Sequence, residues 1–176
     1  MNIREKYNIQ EGPNTFSLFP NKPSVNLSKW FLAGIVVALV ALFCFQNYFS
    51  EEMKWALSIL LVYFIVHSWY DISIRAKIQY TFDTVSDTIY KKNPLYSKKK
   101  IMKLSEAVIF VQSEMGSWHY ALGAKKSQFV KNHRISEGFS SGRKSDKRQD
   151  EYEKFVLLKI DKLIQDIHQK NNELST

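Results

Sequence analysis

Residues 30–50, WFLAGIVVALVALFCFQNYFS, contain no charged side chain, and Lys29 and Glu51 bracket them. A helix rises about 1.5 Å per residue, so about 20 such residues cross a hydrocarbon layer of about 30 Å. A second run, WALSILLVYFIVHSWY at residues 55–70, is free of charge apart from the titratable His67 and lies between Lys54 and Asp71. Being shorter, it spans a bilayer only with little tilt. The aromatics fall at the ends, with Trp30, Trp69 and Tyr70 at one interface and Tyr48, Phe49 and Trp55 at the other. The alternative is a hairpin buried in a soluble core. Paired runs with matched aromatic ends favour a transmembrane hairpin over residues 29–72.

The connector between the runs is short. Ser50 is placed to cap the second helix, with Glu51 and Glu52 at the positive end of its dipole. Antiparallel helices put both chain ends on one side. The segment 1–28 carries Arg4, Lys6 and Lys22, with Lys29 just beyond it, and the connector carries Lys54 alone. From Asp71 onward twenty Lys and Arg stand against thirteen Asp and Glu. Basic residues stay on the cytoplasmic side, so both termini are expected inside, at a bacterial inner membrane. The first run is too long and too far from the start for a cleaved signal peptide. Cys44 is the single cysteine, so no disulfide forms within the chain.

The remainder, residues 73–170, predicts a small antiparallel β domain closed by a helix, and residues 171–176 form a tail. In IRAKIQYTFD, residues 74–83, apolar and polar side chains alternate five times, which predicts a strand with one buried face. Residues 88–92 are expected to pair back on it, and Asn93-Pro94 breaks the chain. Further strands are expected at 101–104 and 107–112. AVIFV reads as a core strand. A turn at 114–117 leads to a strand carrying Trp118, Tyr120 and Leu122 on one face, and 129–135 holds one more. The polar stretch 136–150 reads as a mobile loop. A helix is expected over 150–169, with Asp150 and Glu153 as a capping box. Val156, Ile160, Leu163, Ile164 and Ile167 make an apolar stripe that either covers the sheet or binds a partner.

The stretch KKKIMKLSEAVIFVQ, residues 98–112, resembles the basic strand and following step of bacterial pleckstrin-homology-like domains in small two-helix membrane proteins. FVLLKIDKLI at 155–164 is similar to their closing helix. NTFSLFPNKPSV at 14–25 is similar to a leading strand ahead of the first membrane helix, placed here at 14–20. The resemblance implies an α+β membrane protein with a pleckstrin-homology-like (PH-like) domain. It implies binding to a protein or a lipid, with no catalytic signature to transfer.

No enzyme motif is present. Gly116, Gly123, Gly138 and Gly142 form no phosphate loop, and His67, His119, His133 and His168 are far apart in sequence. The expectation is a non-enzymatic protein without cofactor or metal. Two basic clusters are the strongest functional signal. Lys91, Lys92, Lys98, Lys99, Lys100 and Lys103 flank one turn, and Arg143, Lys144, Lys147 and Arg148 lie in the polar stretch. Near an anionic leaflet each is worth roughly 1 kcal/mol; the plainer reading is that they set topology. Nucleic acid is disfavoured, because only Tyr90 and Tyr96 interleave with the lysines. His67 is either an intramembrane polar site or a residue at the interface. The expected role is a membrane-anchored interaction protein with a protein partner or anionic lipid headgroups, of which an immunity or defence accessory protein is one form. The alternative is a structural subunit of a larger membrane complex, such as a pore or transport assembly. The hairpin permits homo-oligomers under either.

Overall fold

In the computed structural model, residues 2–124 and 132–173 are described. Both apolar runs are helical. A short helix, α1 (Ile3–Lys6), opens the chain, and the long helices are α2 (Val25–Cys44) and α3 (Glu51–Ser73). At 20 and 23 residues they are long and apolar enough to cross a membrane. They pack against each other, with Phe31 and Phe64 edge to face at 5.5 Å. Little else covers them: only 6% and 11% of their most apolar windows are buried. Ser50 caps α3 as expected, its hydroxyl accepting from the Met53 amide at 3.3 Å. The first helix ends sooner than the apolar run does. A 3-10 turn follows over Gln46–Tyr48.

Nine strands form two antiparallel sheets among the described residues. The first contains β1 (Gln10–Glu11), β2 (Thr15–Leu18), β3 (Gln79–Asp83), β4 (Thr88–Asn93) and β5 (Tyr96–Lys103), in that spatial order. The segment ahead of the hairpin is therefore part of the sheet: β2 lies beside β3, with Phe16 opposite Phe82 and Leu18 opposite Tyr80. The alternating stretch gives a strand only from Gln79. Helix α3 runs on to Ser73, and a 3-10 turn at Arg75–Lys77 takes up the next residues.

The second sheet contains β6 (Ala107–Glu114), β7 (Ser117–Ala124), β8 (His133–Arg134) and β9 (Phe139–Ser140), with β8 and β9 both paired to β7. Met115 and Gly116 turn β6 into β7 with φ of 44° and 76°; this backbone region favours glycine. β6 is not the core strand its apolar composition predicts. Among the described residues it has one strand neighbour, and its outer half lies open, Val111 being 54% exposed, whereas β7 is buried at every position from His119 to Gly123. Of the strand expected at 129–135 only His133–Arg134 is seen; residues 129–131 lie outside the described residues.

The stretch 136–150 is structured, contrary to its loop-like composition. Phe139 is fully buried in β9, and helix α4 runs over Arg143–Tyr152. The helix thus begins seven residues before Asp150, behind Gly142, and Asp150 is internal rather than a cap. Some of its polar residues hold one another. Ser145 Oγ accepts from the Ser140 amide at 2.9 Å, and Arg148 meets Glu137 at 2.9 Å. A π-helical turn at Glu153–Leu157 joins α4 to α5 (Leu158–Glu173). The apolar stripe docks as core. Val156, Ile160, Ile164 and Ile167 are at most 5% exposed, and Leu163 packs against them. Each such burial is worth roughly 1.5–3 kcal/mol. The core they close includes Tyr7, Phe16, Phe82, Leu122, Phe139 and Tyr152.

Candidate functional site

One end of the first sheet is set by the chain's path. β2 runs into α2 through the turn Lys22–Ser24, and α3 runs into β3 through the turn Arg75–Lys77. The two connectors are clasped where Asn21 Nδ2 donates to the Arg75 carbonyl at 3.1 Å. Both long helices therefore leave from the end of the sheet where Leu18, Tyr80, Lys91 and Lys99 stand in register across four strands. Lys92 lies opposite Gln79 at the same end. The β4–β5 turn follows, carrying Leu95 at 60% and Tyr96 at 73% exposure.

The lysines do not merely flank this turn; they run along both strands. Lys91 places Nζ 5.7 Å from the Tyr80 ring centre, and Lys98 lies 4.0 Å from that of Tyr90. Burial pushes the Tyr80 phenol up, so it stays neutral beside the lysine. Burial would also raise the Asp83 carboxyl. The Ser86 side chain, then the Ser86 and Val85 amides donating to it, with Lys98 nearby, hold it below its ordinary value instead. Lys100 follows on β5, and Lys103 lies at the far end opposite Thr88, 3.9 Å from Glu106. Beside β5 is an open cleft of about 980 Å³, lined by Lys91, Lys98, Lys99, Lys100, Tyr96 and, from the second sheet, His133, among others.

The second basic cluster sits on α4. Arg143, Lys144 and Lys147 lie along it, whereas Arg148 is committed to Glu137. His67 is half exposed on α3. Its Nδ1 is 3.7 Å from Asp71, which also lies 3.5 Å from Arg75. Asp71 Oδ1 and the neighbouring Ser68 Oγ are buried without a hydrogen-bond partner; the Arg75 contact has the distance of an ion pair but not the alignment of a hydrogen bond.

Two polar centres have no local sequence signature. Glu137 accepts from Lys6 Nζ at 2.6 Å, Tyr7 OH at 2.8 Å and Arg148 Nη1 at 2.9 Å, tying α1 to α4. At the π-helical turn, Trp118 Nε1 donates to Gln149 at 2.9 Å, Gln149 donates to Glu153 at 2.8 Å, and Tyr120 donates to Glu153. Burial and that carboxylate push the Tyr120 phenol up to about 12. Among the described residues no three His, Cys, Asp or Glu side chains converge as a metal ion would need.

His119, buried in β7, makes a pH prediction. Burial, and then the Arg134 guanidinium, hold its imidazole below the ordinary value, while Glu114 opposes them weakly. The unfolded chain therefore binds the proton more readily than the folded one. The stabilising difference is fully present above about pH 6.5 and is lost as pH falls through the folded value. Denaturation midpoints of the full chain in detergent should decline from about pH 7.5 to 5.5, and His119→Gln should flatten that decline. An unchanged slope would place the titrating group elsewhere.

Neither the sequence nor the structure matches a known family model, a curated protein or a solved structure.

Proposed function

We propose that this chain is a non-enzymatic, membrane-anchored interaction protein: α2 and α3 cross a bacterial inner membrane as a hairpin and hold a PH-like domain against the cytoplasmic leaflet. The observation that carries this reading is the pairing of β2 with β3. One strand precedes the hairpin and the other follows it, so the two helices together must return the chain to the side it started from. Their exposed apolar surfaces, Trp30, Val37, Phe43 and Trp69 among them, suit lipid rather than water. Two antiparallel sheets closed by a C-terminal helix support the PH-like assignment.

The side follows from charge. Lys22, Lys29, Arg75, Lys77 and Lys92 gather at the end from which the helices leave, whereas the opposite end of the hairpin has only Lys54, in the first turn of α3 and paired at 2.7 Å with Glu51. Basic residues held near an anionic cytoplasmic surface are attracted by roughly 1 kcal/mol each. Reporters fused before Met1 and after Thr176 should both be cytoplasmic, and a cysteine placed at Asn47 should label from the periplasm. Reporters on opposite sides would overturn the hairpin. Both on the periplasmic side would overturn the orientation alone.

A further inference from the structure

The free edge of β5 has features that a membrane contact does not require. Among the described residues β5 ends the first sheet with β4 as its one neighbour, so about half of its backbone N–H and C=O groups point outward along eight residues, about 27 Å at about 3.4 Å each, with two register shifts against β4 on the way. The open cleft takes in β5 from Tyr96 to Ile101, together with Lys91 and Asn93 of β4 and His133 of the second sheet. Lysines occupy both faces of the strand. Lys98 and Lys100 lie on the Tyr90 side, and Lys99 pairs with Lys91 on the other. No carboxylate lines the cleft among the described residues.

We propose that this edge takes an added strand from an acidic, extended segment of a partner protein. The backbone edge supplies the hydrogen bonds, and the alternating lysines select carboxylates at successive positions. Two other occupants fit less well. A second copy pairing edge to edge would set lysine against lysine, which costs rather than stabilises. A leaflet would meet the lysines at this end, next to the departing helices, but would offer the backbone edge no ordered row of hydrogen-bond partners. This inference rests on reading the domain as an interaction module. It is independent of the topology test, which can fail without it.

The full chain in phosphatidylcholine nanodiscs is titrated with a fluorescent peptide of about eight residues alternating Glu and Val, with a Lys–Val counterpart as control. The acidic peptide should bind and slow amide exchange over 96–103, and the basic one should not bind. Two further acidic peptides, methylated on alternate backbone nitrogens in either phase, carry the same charge. Strand addition requires one phase to lose about tenfold or more in affinity while the other binds. The double variant Lys98→Glu with Lys100→Glu should lose about tenfold or more for Glu–Val and acquire binding of Lys–Val, a gain that a misfolded chain would not show. Equal binding of both methylated peptides would reduce the site to unspecific attraction and overturn the proposal. So would an absence of acidic-peptide binding. Protection of 96–103 by nanodiscs of about 30% phosphatidylserine, without peptide binding, would assign the lysines to the leaflet.

Discussion

Tyr152→Ala is expected to destabilise the domain by about 4 kcal/mol, a large share of the stability of a small domain. The ring is fully buried, stacked on Tyr120 at 5.8 Å and packed against Tyr7 at 5.1 Å and Phe139 at 6.0 Å. It thus joins the N-terminal segment, the second sheet and the closing helix at one point. Its hydroxyl donates to the Ile135 carbonyl at 2.6 Å, which anchors the chain between β8 and β9. Truncation opens a large cavity and orphans that carbonyl together. Tyr152→Phe separates the two effects: it keeps the ring and should cost only about 1–2 kcal/mol. Both are measured by denaturant titration of the full chain in detergent. A loss under about 1 kcal/mol for the alanine variant would mean that the helix does not close the core through this ring.

Glu137→Ala should cost about 2–3 kcal/mol, since it leaves two cations and a phenol donor without their shared acceptor. The Lys6 and Glu137 side chains are only 17% and 12% exposed, so water compensates them poorly. Arg148 is 43% exposed and recovers solvation, which is why the expected loss is below that of a fully buried pair. Glu137→Gln keeps an acceptor for Tyr7 but removes the charge, and should fall between wild type and alanine. A double-mutant cycle with Lys6→Ala checks the assignment. Lys6→Ala should matter much less once Glu137 is gone, and additive losses would show that the two groups act separately.

What the sequence reveals depends on how far apart the partners are. The hairpin is legible because a charge-free length and a cap between Ser50 and Met53 are local properties. The stripe from Val156 to Ile167 is legible for the same reason. The stretch 136–150 is not, because its meaning lies in distant contacts: Glu137 with Lys6, Gln149 with Trp118, Phe139 with the core. Read locally, the same residues are polar and loop-like. The spacing of Asp150 and Glu153 imitates a helix start, yet the helix begins behind Gly142. The basic residues could be named from sequence but not arranged. A run of three lysines looks like the flank of a turn, and an edge strand is the place in a sheet that tolerates it. That Ala107–Glu114 would be an edge and Ser117–Ala124 the central strand depends on sheet order, which no periodicity encodes.

The interleaving of strands and hairpin also governs biosynthesis. Phe16 leaves the ribosome long before Phe82, its neighbour in the sheet, and both long helices are made in between. The first sheet cannot be completed during synthesis until both long helices have been made. If the hairpin crosses a bilayer as proposed, a chain that inserted only one helix would place β2 and β3 on opposite faces, with Tyr7, Phe16 and Leu18 missing from the core. On the proposed membrane reading, completion of this sheet would report correct insertion, because a wrongly threaded chain would leave Phe82 and its core neighbours uncovered.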